Sequence, residues 1–263
     1  MTNVMNDELT AVARTLVAGG RGILTERRGA LRGLVASAPD LERHIGGAVL
    51  DDEGLRQGFA AVLRARGIVP GIEIGDEQAP LRERLAEYAV LGAGFARRRV
   101  RFDGPVATQA RALARFAVAC QAFGIVPLVE PVLPAAPDAV ERALRRIAGE
   151  LGDAGVAFDA LVLATEMIAP GGSTVEAEDP ARVVAATLRV LGATVPVAVA
   201  GIAFRADSPR ATEHLCALNT TTPRRRPWPL TFTCGPALHR VRCNALAACG
   251  AYTAKAEQQL LAA

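Results

Sequence analysis

Glu130 in GIVPLVEP and Glu166 in DALVLATEM each lie near the end of a short apolar run. A carboxylate so placed can move a proton to or from a bound substrate. Arg97, Arg99 and Arg101 punctuate the run GFARRRVRF. Guanidinium groups hold carboxylates, phosphates or a developing oxyanion, but they stay protonated and form no imines. Glu73 in GIVPGIEI, Asp51 and Asp52 after IGGAVL, Glu26 and Arg27 after RGILT, and Arg205 after VPVAVAGIAF extend the set. The candidate catalytic residues are Glu130, Glu166 and Arg97. The candidate substrate contacts are Arg99, Arg27, Glu73, Asp51 and Arg205. Charges embedded in apolar strands are seldom left unpaired, so acids and arginines from different runs are expected to meet.

What the chain lacks is as informative. Of its 30 basic residues one is lysine, Lys255, and the other 29 are arginine. The body of the chain therefore offers no side-chain amine for Schiff-base chemistry. Five cysteines without a CxxC pair argue against a zinc site and read as reduced, mostly buried thiols. Cys234 is weighed as a nucleophile and set aside, because the sequence supplies no histidine to activate it. Asp51, Asp52 and Glu53 form an acidic cluster, but strand alternation sends neighbours to opposite faces, so no metal site is assigned. No cofactor is expected.

These residues need a scaffold that gathers strand ends. Eight β-prone runs, 21–25, 45–51, 67–74, 94–102, 124–131, 159–167, 195–204 and 229–235, alternate with amphipathic stretches such as TQARALARFAVACQAFG and AVERALRRIAGELGDAG. That alternation predicts parallel βαβ units and, at 263 residues, an α/β fold closed as a (β/α)8 TIM barrel spanning 1–263 as one domain. A doubly wound open sheet competes, but no GxGxxG turn follows the first run. In barrels of this kind chemistry sits at the C-terminal strand ends, which is where the candidates fall. The period of two puts Arg97, Arg99 and Arg101 on one face of their strand and Arg98 on the other.

A net charge of +3 and an aromatic content of 4% leave few stacking platforms, so nucleic acid is not expected as a partner. The longest apolar run is too short to span a bilayer, and the N-terminal stretch has acids where a secretory signal needs positive charge. No membrane partner and a cytoplasmic location are expected. TTTPRRRPWPL (220–230) reads as a solvated basic loop, with an anion patch as the alternative.

GRGIL, IGGAVL, GIVPGI, LRERLAEYAVLGAGFARRR, CQAFGIVPLVEP, MIAPGG, TVPVAVAGIAF, PWPLTFTCGPAL and RCNALAACGAYT, in that order, resemble class I fructose-1,6-bisphosphate aldolases over roughly residues 8 to 253. The resemblance implies an aldolase-type barrel and homo-oligomer formation. It also implies where the family's working groups would fall, and most are altered. Ala164 in VLATEM stands at the place of the imine-forming lysine. Arg27 replaces an Asp, Glu73 and Arg97 replace lysines, and Val132 replaces the second acid of the family's VEPE. Pro236 replaces a phosphate-gripping Arg, and the Ser-Gly-Gly phosphate loop is changed around Arg205, Ala206 and Asp207. Arg99 and Glu130 are kept. Arg27 and Glu73 reverse the sign of a facing pair, which suggests a rebuilt salt bridge. Two functions follow as expectations. One is a Schiff-base-independent lyase, isomerase or cyclase acting on a small anionic or polar metabolite, by analogy in specialised metabolism. The other is a non-catalytic pseudo-aldolase that binds a metabolite or a protein partner.

Overall fold

A computed structural model describes residues 3–25, 40–75, 80–206, 208–220 and 226–235. Within them eight parallel strands close on one another in chain order. They are β1 (Gly22–Thr25), β2 (Ile45–Leu50), β3 (Val69–Glu73), β4 (Phe95–Arg101), β5 (Val126–Val132), β6 (Val162–Thr165), β7 (Gly201–Arg205) and β8 (Leu230–Cys234). The described α-helices are α1 (Asn3–Val17), α2 (Asp52–Arg56), α3 (Phe59–Ala65), α4 (Leu81–Val90), α5 (Val106–Ala122), α6 (Pro137–Asp153), α7 (Pro180–Thr194) and α8 (Pro209–Thr220). The expected α/β barrel is what the chain forms.

Strand alternation divides the apolar residues into two cores. The outer one lies between strands and helices and includes Leu24, Ile72, Val129, Leu163 and Phe204. The inner one holds Ile23, Val49, Phe95, Val126, Leu128, Val162, Ala164 and Ala203, closed from below by Leu9, Ala13, Leu16 and Val17 of α1. A hydrogen bond of 3.1 Å from Thr10 Oγ1 to Asp159 Oδ2 fixes α1 to the turn before β6. Phe95 fills the lower barrel because β3 has no side chain at Gly71, where an added Cβ would lie 2.3 Å from the ring. At Gly124, after α5, φ of +71° turns the chain into β5.

Two expectations need correction. The run 195–204 is not one strand: α7 extends to Thr194, and β7 begins only at Gly201. The intervening residues form a turn in which Val199 donates to the Pro196 carbonyl at 3.1 Å, and Trp228 Nε1 donates to the same carbonyl at 2.8 Å. The thiols are not all reduced either. Cys120 and Cys234 are free and buried, whereas Cys216 is disulfide-bonded.

Candidate functional site

The charged groups at the strand ends separate into two assemblies. The first spans β3, β4 and β5. The register sets Glu73 beside Arg97 and Arg99 beside Glu130, so alternation aims all four side chains into the barrel. Arg97 Nε donates to Glu130 Oε2 at 2.6 Å, and its Nη1 donates to Glu73 Oε2 at 3.3 Å. Arg99 Nε lies 3.3 Å from Glu130 Oε1, but off the hydrogen-bonding direction, so that buried oxygen makes no hydrogen bond. Glu130 is 1% exposed and Arg97 7%. Two acids facing two guanidinium groups leave the cluster balanced, which is how such burial is tolerated. Arg99 keeps 32% of its side chain in solvent and is the member that reaches outward.

The second assembly is a cavity of about 330 Å³ above the ends of β5, β6 and β7. Glu166, one residue beyond β6, and Arg205, the last residue of β7, share its wall. Arg205 Nη1 lies 2.7 Å from Glu166 Oε1. The Glu166 side chain is 60% exposed, against 25% for Arg205. Leu133, Val140, Met167, Ile168 and Val175 give the rest of the wall an apolar lining. The connection between β6 and α7 forms one side and the first turn of α8 the other. Ser173 Oγ lies 2.7 Å from both the Pro170 carbonyl and Glu178 Oε1, with one hydroxyl proton to share between the two acceptors, which shapes that connection. Arg210 Nη2 reaches the Glu178 carbonyl at 3.1 Å, and the buried His214 Nε2 sits 3.3 Å from it, so α8 grips the same segment.

Glu130, Arg97, Arg99 and Glu73 are thus brought together, and Glu166 joins Arg205 instead. Asp51 stands apart: it caps α2, accepting from the Gly54 N–H at 2.7 Å. Asp52 binds Arg56, which holds its carboxyl below the usual range despite some desolvation, with help from the Tyr88 hydroxyl. Arg101 lies beside exposed Asp103 at 3.5 Å, and Arg98 sits 5.9 Å over the Phe116 ring on the outer face. Cys234 pairs in register with Leu24 and belongs to the outer core, facing helices and not the mouth. Glu26, Arg27, Asp207, residues 221–225 of the basic loop, Pro236 and Lys255 lie outside the described residues, so an Arg27–Glu73 pair has no description. Among the described residues no group of His, Cys, Asp or Glu is arranged to hold a metal, and no helix is long and apolar enough to cross a membrane.

Sequence reasoning missed the wall hydroxyls. Ser208 accepts from the Ala211 N–H at 3.0 Å and caps α8, which the order Ser-Pro before a helical pattern could have signalled. Ser173 carried no comparable signal.

Comparison with known proteins agrees with this architecture. Residues 24–263 match the family model described as fructose-bisphosphate aldolase class-I. A probable class 1 fructose-bisphosphate aldolase of Xylella fastidiosa is 30% identical, with 89% of this chain and 88% of that one covered. Mouse fructose-bisphosphate aldolase B is 32% identical over 98% of this chain and 88% of its own length. A Plasmodium falciparum aldolase structure superimposes with a TM-score of 0.77 at 23% identity, covering 97% of this chain and 94% of that one. Sequence and fold agree: the chain belongs to the class I fructose-bisphosphate aldolase family.

Proposed function

We propose that this family member works without a Schiff base, as a lyase, isomerase or cyclase acting on a small anionic or polar metabolite in the cavity above β5 to β7. The observation that carries the reading is on β6. Ala164, the residue that the resemblance aligns with the imine-forming lysine, is fully buried within the inner apolar core. A methyl group there captures no carbonyl, so the electron sink for aldol cleavage is missing. Two residues further along the same face, Glu166 pairs with Arg205 at 2.7 Å on the wall of a ligand-sized cavity. Glu166 is the proposed proton carrier, and Arg205 holds the substrate's anionic group or a developing oxyanion. The Glu130–Arg97–Glu73 cluster positions Arg99, the second proposed substrate contact. Asp51 remains a proposed contact, as does Arg27, which lies outside the described residues.

Borohydride reduction in the presence of fructose 1,6-bisphosphate tests the central point. The intact protein and its Lys255→Ala variant should both show an unchanged mass, and a reduced sugar adduct on the intact protein would overturn the reading. Once a turned-over metabolite is identified, Glu166→Gln should lower kcat by 100-fold or more while leaving thermal unfolding in place. An unaltered rate would remove Glu166 from the role.

One observation favours the non-catalytic alternative. Glu130, the acid kept from the family pattern, is sealed from solvent by two guanidinium groups and is not on the cavity wall. An ion cluster plugging half of the mouth would then leave a binding module, which retains saturable metabolite binding but shows no turnover.

A further inference from the structure

We infer that the ligand of the β5–β7 cavity is a small monocarboxylic acid with an apolar body, and that its carboxylate takes Arg205 by displacing Glu166. This rests on the cavity being the binding site proposed above and names the class of molecule it takes. Among the described residues of the wall, Arg205 is the cation, while Glu166 and Glu176 are both acids. A molecule carrying two phosphates would add several negative charges to a wall already in acidic excess. A monoanion adds a single negative charge, and its carboxylate takes over the guanidinium contact that Glu166 gives up. The exchange costs little on the protein side, because Glu166 is mostly exposed and an exposed carboxylate is only weakly held by its partner. Arg205 is the more enclosed partner, so a ligand carboxylate meets its guanidinium in a less watery setting, where a planar two-pronged contact is strongest.

The remainder of the wall selects the remainder of the molecule. Leu133, Val140, Met167, Ile168 and Val175 present hydrocarbon, and a cavity of about 330 Å³ accommodates a body of phenyl or branched-alkyl size. The first turn of α8, with Ser208 and Ala211 on the wall, adds the positive end of a helix dipole on the side where Arg205 stands. Glu166, released by the exchange, then stands beside the bound acid, ready for the proton transfer already proposed.

Calorimetric titration with 3-phenylpropanoate, 3-phenylpropanamide and fructose 1,6-bisphosphate tests the inference. The acid should bind saturably, at least tenfold tighter than its amide and tighter than the bisphosphate. Arg205→Met should erase the preference for acid over amide. Glu166→Gln should bind the acid several-fold more tightly than the unaltered protein, because one internal competitor for Arg205 loses its charge. Val175→Trp, which adds bulk to the cavity and keeps both residues of the ion pair, should abolish binding, and circular dichroism checks that each variant is folded. Equal binding of acid and amide, preference for the bisphosphate, weaker binding by Glu166→Gln, or no binding of the acid would each overturn the inference. Tight binding of acids with no turnover of any would leave this inference standing and sink the catalytic reading instead.

Discussion

At the scale of single residues, Arg97 is the hinge of the ion cluster, because it bonds both Glu73 and Glu130. Replacing it by methionine strands a nearly inaccessible carboxylate, a change that typically costs 3–5 kcal/mol. Arg97→Met is therefore expected to lower stability by about that much in urea unfolding, and adding Glu130→Gln should recover part of the loss. A double variant as unstable as the single one would show that the charge of Glu130 is not the source of the cost. Cys120 makes the opposite point. Burial pushes its thiol well above the ordinary range, with Arg98 only partly opposing this, so it should resist iodoacetamide until the protein unfolds. The charged set itself was readable from the sequence, since period-two alternation placed Arg97 and Arg99 on one face. Their division was not readable. Whether Glu130 meets Arg99 or lines a cavity depends on the register between β4 and β5, which no residue of either strand specifies alone.

Among the elements, β3 and β4 depend on a single fit between a missing side chain and an aromatic ring. Gly71→Ala would force a methyl into Phe95, and overpacking of this kind costs about 1–3 kcal/mol. The expected result is a lower melting temperature that Phe95→Leu restores in combination. A neutral Gly71→Ala would mean that the ring moves freely. The element order was legible because eight apolar runs alternate with longer amphipathic ones. Boundaries were less so where the signal was a continuous apolar run. Val195 to Phe204 suits a buried strand or a helix end equally well by composition, and here Pro196 and a tryptophan hydrogen bond decide for a turn up to Gly201.

Over the molecule as a whole, surface acids are held ionised by arginine. Arg56 bonds Asp52 and Glu87, and Arg145 bonds Glu141; in each case the hydrogen bond to arginine is the largest cause of a lowered carboxyl pKa. Groups shifted downward contribute stability above the ordinary carboxylate pKa of about 4, and that contribution is lost as the pH falls through the lowered folded values. Melting temperatures should thus hold between pH 7 and 5 and decline towards pH 3. Molar salt should shrink the decline, because these pairs are exposed. A decline beginning near pH 6 would point to histidine instead.

The seal that α1 places beneath the strands has a consequence for how the chain is made. Leu16 and Val17 are synthesised before the strands that they seal, yet Val17 rests against Gly201, and β1 joins β8 through Thr233 and Cys234. During synthesis this greasy helix face waits in water for most of the chain to emerge. The nascent polypeptide should accordingly be a client of holding chaperones until β8 has emerged.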